Sequence, residues 1–331
     1  MNDTLPLVSI ITPAYNRASY LDETIQSVLT QDYPRIEYIV LDDGSTDNTR
    51  EVLQKYTGRL TWETQLNMGE TRTVNKGFSM AHGEIVAVVN SDDPLLPGAI
   101  SSAVSFMQEH PDVLAAYPDW NYIGPDSRVT GHIQVPEGDY LFMLRRHHCS
   151  IGPGAFMRRS AFELAGMRDP NFKYVADFEY WLRLGLYGKF ARIPKTLATW
   201  RVHPDAVSLS HQGAAMAEEH IRMIEKFYSL PDLPPEVLRL RREAFVGAHL
   251  IAAQVCGEAR VTALKHFYRA VLYHPSTFLG NLGKPETWWI IFSITLPRPL
   301  FKILLWGWRM VRPILARRYR FIKQLRKRLR A

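Results

Sequence analysis

Disulfide chemistry is all but missing from this chain: of 331 residues, only Cys149 and Cys256 are cysteine. Two thiols build neither a disulfide framework nor a cysteine zinc site, which points to a reducing compartment. Long apolar runs are missing too. The two strongest in the C-terminal part, Trp288 to Ile294 and Phe301 to Val311, fall short of the ~20 residues a spanning helix needs. The chain starts Met1-Asn2-Asp3-Thr4 and enters an apolar strand at once, so no signal peptide is expected. Internal repeats and low-complexity linkers are lacking as well. Acid is lacking in one region only. After Glu286 come twelve Lys and Arg, from Arg298 to Arg330, and neither Asp nor Glu. The formal charge of +7 is therefore C-terminal, because residues 1–286 hold 28 basic against 33 acidic groups, a net of −5. A hydrophobic content of 46% supports a sizeable core, and the length suits one large domain with an appendage.

What is present is a set of apolar strands that stop at polar residues. Ile85-Val86-Ala87-Val88-Val89 is a run suited to a strand covered on both faces, and it ends at Asn90-Ser91-Asp92-Asp93-Pro94. Leu7 to Thr12 breaks into Pro13-Ala14-Tyr15-Asn16-Arg17, after which Ser19 is expected to open a helix with Leu21, Ile25, Val28 and Leu29 on its apolar face. Tyr38-Ile39-Val40-Leu41 ends at Asp42-Asp43-Gly44-Ser45, and a helix through Val52 and Leu53 follows. This alternation predicts a parallel sheet with right-handed crossovers, and it gathers three polar strand ends on one rim, where such sheets bind ligands. Carboxylates there suit a hard cation that also takes phosphate oxygens. Asn67-Met68-Gly69 and Asn75-Lys76-Gly77 fall between the second and third strand ends, on a loop and the helix after it.

In their order and composition, the blocks at Pro13 to Arg17, Asp42 to Ser45, Asn67 to Gly69 and Ser91 to Asp93 resemble the family 2 glycosyltransferases. The resemblance runs from about Leu7 to Ser208. It implies an α/β architecture of GT-A type, a Rossmann-like, mostly parallel sheet flanked by helices, and an inverting enzyme. It also implies that Pro13, Ala14, Tyr15, Asp42, Asp43, Asn67, Gly69 and Ser91 bind the donor nucleotide, with Pro13, Ala14 and Tyr15 lining the base pocket. The family's DxD reads Asn90-Ser91-Asp92 here, so its first acid is missing and Asp92 is the expected ligand of Mn²⁺ or Mg²⁺, with Asp93 and Asn90 beside it. Such a cation would offset the negative charge that grows on a leaving diphosphate.

The same resemblance assigns a general base. Tyr174 to Leu184 reads as a helix start, where the family has two acids. Ala176 replaces the first and Asp177 retains the second, the expected base, with Glu179 as fallback. Trp200-Arg201-Val202-His203, continuing to Ser208, resembles the family's diphosphate-closing loop, with Arg201 on a phosphate and His203 on the metal or the diphosphate. Gly152-Pro153-Gly154-Ala155-Phe156 is expected to line the acceptor side, and Arg158 and Arg159 read as surface residues.

The expected organisation is a catalytic domain over residues 1–210, a helical extension over 211–283 and a basic tail over 284–331. Met216, His220, Met223, Ile224 and Phe227 mark one helical face of the extension, and Leu264, Phe267, Tyr268, Val271 and Leu272 another. Tryptophans beside Lys and Arg in the tail suit an anionic membrane surface. The chain is expected at the cytoplasmic face of the membrane, peripheral or monotopic. The function expected is transfer of a sugar from a UDP-, GDP- or dTDP-sugar to a saccharide or lipid-linked acceptor, in cell-surface polysaccharide or glycolipid synthesis. Nucleic acid is not an expected partner. Two alternatives stand beside this: a sugar-phosphate nucleotidyltransferase on a similar sheet, and a non-enzymatic protein whose basic tail binds nucleic acid.

Overall fold

The computed structural model describes residues 5–137, 140–204, 206, 213–256, 259–282, 288 and 291–292. Its first half alternates strand and helix: β1 (Val8–Ala14), α1 (Ala18–Leu29), β2 (Ile36–Asp42), α2 (Thr49–Gln54), β3 (Thr61–Thr64), α3 (Glu70–Met80), β4 (Ile85–Val88) and α4 (Ala99–Glu109). Then come β5 (Val113–Ile123), β6 (Val129–Ile133), α5 (Tyr140–Arg146), β7 (Phe156–Arg158), α6 (Ser160–Ala165), α7 (Ala176–Leu184) and β8 (Lys189–Arg201). Five helices follow: α8 (Ala214–Phe227), α9 (Pro235–Arg239), α10 (Arg241–Val255), α11 (Arg260–Tyr273) and α12 (Pro275–Leu282).

One sheet organises the first eight strands in the order β3-β2-β1-β4-β7-β5-β6, with β8 along the other edge of β5. The pairings of β1, β2, β3 and β4 are parallel, as expected. Beyond β4 the sheet is mixed. β7 is antiparallel to both β4 and β5, β6 is antiparallel to β5, and β8 is parallel to it. β1 is buried along its whole length, which is why its sequence shows no apolar-polar alternation, with only the small Ser9 and Thr12 polar among its seven residues.

Pro13 and Ala14 belong to β1, not to the loop that the sequence suggests, since they pair with Leu41 and Asp42 of β2. On the opposite edge the ladder with β4 closes where Val89 N donates to Ile11 O (2.9 Å). The next rung would need an N–H that proline lacks, so Pro13 ends that ladder and lets the two chains splay into a cleft. Helix α1 starts at Ala18, and Ser19 does not cap it. The free amides of Arg17 and Ala18 donate to Thr49 Oγ1 (2.9 Å) and Asp47 Oδ2 (3.1 Å), so the cap comes from the loop after β2. Arg158 is not a plain surface residue: its guanidinium donates to Val113 O (2.9 Å) and Met107 O (2.7 Å), tying β7 to the start of β5. Arg159 donates to Ala81 O.

The helices after β8 share one apolar core with the sheet, through residues such as Met223, Ile224, Phe227, Val246 and Ala252. Glu219 of α8 accepts from the backbone amides of Lys173 (3.0 Å) and Tyr174 (2.7 Å), anchoring the segment that leads into α7. The tail over 284–331 lies outside the described residues apart from Trp288, Ile291 and Phe292, and so do Asp205, Val207 and Ser208. Among the described residues no helix is long and apolar enough to cross a membrane.

Candidate active site

The first two strand ends are stitched into one unit. Asn16 adopts a left-handed backbone (φ +52°), which asparagine tolerates better than most residues. Its Oδ1 accepts from Thr46 N (2.8 Å), and its own N–H donates to Ser45 Oγ (2.8 Å). Asp42 accepts from Ser45 N at 3.0 Å. Asp43 accepts from Met68 N (2.9 Å), Gly69 N (2.8 Å) and Gln65 Nε2 (3.0 Å). Gly44 sits at φ +77°, and a Cβ there would lie 2.9 Å from Asn67 N, so only glycine allows this approach. Among the residues expected on the nucleotide, Pro13, Ala14, Asp42, Asp43 and Ser91 are thus buried wall, while Tyr15, Asn67 and Gly69 are exposed on the rim. One wall atom, Asp42 Oδ2, is buried without a hydrogen-bond partner.

At the third strand end the two adjacent acids face opposite ways. Asp93 turns inward and accepts from Arg201 N (2.7 Å) and Asn90 Nδ2 (3.0 Å). Burial, with the neighbouring Asp92 charge, raises its carboxyl above the ordinary range. Both of its oxygens hold protein, unlike those of the free metal ligand the sequence suggests. Asp92 turns outward, where its Oδ2 lies 3.0 Å from both Arg17 Nε and His203 Nε2. His203 is buried, its ring 4.7 Å from that of Tyr20, and its Nδ1 has no hydrogen-bond partner.

Arg201 does not reach toward a phosphate. Its side chain is fully buried and donates to Asp92 O (2.8 Å), Gly124 O (3.1 Å), Ser127 Oγ (2.9 Å) and Glu23 Oε2 (2.6 Å). The guanidinium also lies 4.8 Å from the centroid of the Tyr20 ring. A charge buried this deeply must be paired, and the acceptors that pair it converge from three places: the loop after β4, the β5–β6 turn and α1. Arg201 therefore fixes the backbone of Asp92 from behind.

Asp177 lies in the first turn of α7 and is exposed; its Oδ1 accepts from Phe178 N (2.7 Å). Glu179, the fallback base, is buried between Arg183 (2.8 Å) and Lys226 (2.6 Å) and is an ion-pair anchor instead. The glycine block after β6 is packing rather than open surface: a Cβ on Gly152 would lie 2.6 Å from the Trp120 ring.

Two cleft residues went unseen in the sequence. Glu70 opens α3 next to Gly69 and is exposed to the cleft. The surrounding protein raises its carboxyl above the ordinary range; Arg168 opposes that rise, the charges of Asp177 and Asp92 add to it, and Arg17 opposes it. Thr71, the next residue of α3, donates to Phe172 O (3.0 Å), which ties the start of α3 to the segment that leads into α7 and Asp177. The signal available was the Asn67-Met68-Gly69-Glu70 run, where an acid enters the cleft with the glycine turn. Arg168 had no signal in its own sequence neighbourhood.

Asp92 and His203 are the protein donors that fit a cation, and no group of three or more metal-binding side chains occurs among the described residues. Two donors are enough for Mg²⁺ or Mn²⁺ when phosphate and water complete the shell. His203 Nε2 and Asp92 Oδ2, now 3.0 Å apart, would together hold such a cation, which would supply positive charge to a bound diphosphate.

The architecture and the strand-end cleft define a GT-A type transferase. Residues 9–165 match the model of Glycosyl transferase family 2. The chain is 31% identical over 210 residues to the UDP-Glc:alpha-D-GlcNAc-diphosphoundecaprenol beta-1,3-glucosyltransferase WfaP of Escherichia coli, covering 62% of this chain and 80% of that one. Two solved structures share the fold at lower identity. Mannosyltransferase PcManGT from Pyrobaculum calidifontis in complex with GDP-Man and Mn²⁺ has a TM-score of 0.58 at 18% identity, over 88% of this chain and 85% of that one. S. aureus TarS 1-349 in complex with UDP-GlcNAc has 0.57 at 17% identity, over 84% and 92%. The chain belongs to glycosyl transferase family 2. That membership sets aside both the nucleotidyltransferase and the inert nucleic-acid binder.

Proposed function

We propose that the protein moves one sugar, with inversion, from a nucleotide-diphosphate donor to a hydroxyl of a saccharide or lipid-linked acceptor. One observation carries this reading: in a chain whose residues 9–165 match glycosyl transferase family 2, Asp92 turns outward after β4 with its Oδ2 3.0 Å from His203 Nε2. Donors are expected among UDP-, GDP- and dTDP-sugars, and Tyr15 supplies an exposed ring on the base side. The UDP-Glc and diphosphoundecaprenol named for the relative WfaP, and the nucleotide sugars of the two neighbours, support this class of donor and a lipid-linked acceptor in surface-polysaccharide synthesis. Asp92 and His203 would hold Mn²⁺ or Mg²⁺, which neutralises charge on the leaving diphosphate. Arg17, now on Asp92, is long enough to turn to the diphosphate when that carboxylate takes a cation. Asp177 Oδ2, unlike Oδ1, has no partner among the described residues and takes the acceptor hydroxyl's proton as that oxygen attacks. Turnover of a nucleotide-sugar panel with and without Mn²⁺ tests the donor and metal, and NMR of the product tests inversion. A product of retained anomeric configuration, or no turnover of any donor, overturns the reading.

The membrane reading rests on an exposed stripe as well as on the tail. Val261, Leu264, Tyr268 and Leu272 follow one another along α11 at helical spacing and are all exposed, as are the adjacent Lys265 and Arg269. An exposed apolar stripe beside cations suits the boundary of an anionic bilayer. It precedes the twelve Lys and Arg of the tail. Co-sedimentation with anionic vesicles is expected for the full chain and lost on removing residues 287–331. Equal binding by both would exclude the tail as an anchor.

A further inference from the structure

The candidate base is not held by its own helix alone. Asp177 Oδ1 accepts from Phe178 N, so the carboxylate moves with the first turn of α7. That turn is reached through residues 168–174, a strap gripped from two sides. From α3, Asn75 Nδ2 donates to Arg168 O (2.8 Å), Asn75 Oδ1 accepts from Arg168 N (3.0 Å), and Thr71 Oγ1 donates to Phe172 O (3.0 Å). One side-chain amide thus satisfies both the donor and the acceptor of a single backbone residue. This gives the Asn75-Lys76-Gly77 block a role outside the nucleotide residues. Helix α3 is also part of the donor wall, because the amide of Gly69, at its N-cap, donates to Asp43 (2.8 Å).

The second grip comes from α8, which lies beyond the family match at residues 9–165. Glu219 is 6% exposed, and its carboxylate accepts from the amides of Lys173 (3.0 Å to each oxygen) and Tyr174 (2.7 Å). Lys226 stands seven residues further on, two turns along the same face of the helix. Its Nζ donates to Asp169 Oδ2 (2.7 Å) and to Glu179 Oε1 (2.6 Å), the latter on α7 itself. The Phe172 ring lies between them, its centroid 5.4 Å from the Arg222 guanidinium carbon and 5.5 Å from Lys226 Nζ. Apolar packing of the same volume would give as much stability as these ionic contacts, but charged hydrogen bonds fix direction as well. We propose that Glu219 and Lys226 are positioning residues for the base Asp177, which makes α8 part of the catalytic unit; this rests on the glycosyl-transfer reading above. Held by α8 on one side and by the donor-wall helix α3 on the other, the strap sets how far Asp177 stands from the donor.

The test uses the full chain with Glu219→Gln or Lys226→Met, each alone and combined with Asp177→Asn. It reads kcat with whichever of UDP-glucose, UDP-N-acetylglucosamine and GDP-mannose the native chain turns over. Rates are counted per site that binds UDP or GDP, so unfolded protein does not enter. Glu219→Gln keeps the shape but loses the charge and one acceptor oxygen. Lys226→Met leaves Glu179 paired with Arg183 (2.8 Å), so that variant should fold. Each single change should lower kcat by about 10–100-fold, because a misplacement of about 1 Å at a reacting group costs up to about 10²-fold. Affinity for the free nucleotide should stay at the native value. Residues that act through one group are not additive, so on the Asp177→Asn background the same changes should cost nothing further. A native kcat for both single variants would overturn the proposal, as would losses that persist in full without Asp177 or that match a loss of nucleotide affinity. Those results would leave the glycosyl-transfer reading standing. A native kcat for Asp177→Asn, or a native chain that turns over no nucleotide sugar, would sink that reading and the proposal with it.

Discussion

Two Asp-Asp pairs end the strands on either side of β1, and they are built for different work. After β2, Asp43 and Asp42 accept mostly from backbone amides: Met68, Gly69 and Ser45. After β4, Asp93 accepts from the backbone amide of Arg201, whereas among the described residues the Asp92 carboxylate meets the side chains of Arg17 and His203. A carboxylate bonded to amides is a fixture, because releasing it strands buried N–H groups at about 1–3 kcal/mol each. One bonded to side chains can exchange them for a cation. The same dipeptide thus gives three braces and one carboxylate free to take a cation, and the partner's freedom to move decides which.

The comparison breaks first at the reacting acids. Asp177→Asn is nearly isosteric and should lower kcat by about 10²–10⁴-fold, the usual worth of a general base, with donor affinity kept. Asp92→Asn should cost about 10²–10³-fold in metal-dependent turnover, comparable to losing a main stabiliser of transition-state charge. Neither change should move the thermal midpoint far. A rate above a tenth of the native value for Asp92→Asn, with Mn²⁺ or Mg²⁺ supplied, would remove that residue from the metal site.

Next in size come the braces, where stability should fall. Arg201→Met should destabilise the fold by about 3 kcal/mol, the lower end of the range for breaking a buried ion pair, because Glu23 stays partly open to water. Asp43→Ala should destabilise it by about 1–3 kcal/mol through the amides of Met68 and Gly69. Chemical denaturation reads both effects. A native midpoint for the Arg201 variant with weakened nucleotide affinity would restore Arg201 to the phosphate.

What was legible follows the same division. The alternation of apolar runs and polar breaks gave β1, β2 and β4 and the rim where Asp43 and Asp92 sit, because a strand buried on both faces carries few polar residues, whereas Asp177 was reached through the family resemblance. Arg201 was misread because a sequence shows the cation but not the acceptors that Gly124, Ser127 and Glu23 bring to it. Ser19 has the right chemistry for a cap, yet Asp47 and Thr49 arrive from another loop to do it. Arg168 is invisible for a similar reason: its neighbours in space, Asn75 and Phe78, are some ninety residues away. The mixed half of the sheet was not readable, since its pairings depend on β7 being inserted antiparallel between β4 and β5.

The smallest effect per group contrasts the sheet with the helices packed beside it. Where the sheet is braced by charged carboxylates, the helical part buries neutral histidines in pairs. His147 Nε2 lies 3.0 Å from His220 Nδ1, and His249 Nδ1 lies 3.1 Å from His266 Nδ1. Each pair needs one ring to donate and the other to accept, so at least one ring of each pair must stay neutral. Burial holds His147 well below the usual imidazole value and brings His220 and His249 down to about 4; for His249, the His266 ring adds to it. Unfolded histidines titrate near about 6.5, so between that value and about 4 the unfolded chain binds the extra protons. Stability from these groups is therefore complete above about pH 6.5 and is lost as pH falls toward 4, at up to about 1.4 kcal/mol per pH unit for each histidine. Thermal midpoints should be flat from about pH 7 to 8 and fall between about pH 6.5 and 5, before most carboxylates titrate. Replacing one ring by His249→Phe should lower the midpoint at neutral pH and flatten its fall on acidification. An unchanged slope would mean that His249 takes no part in that proton uptake.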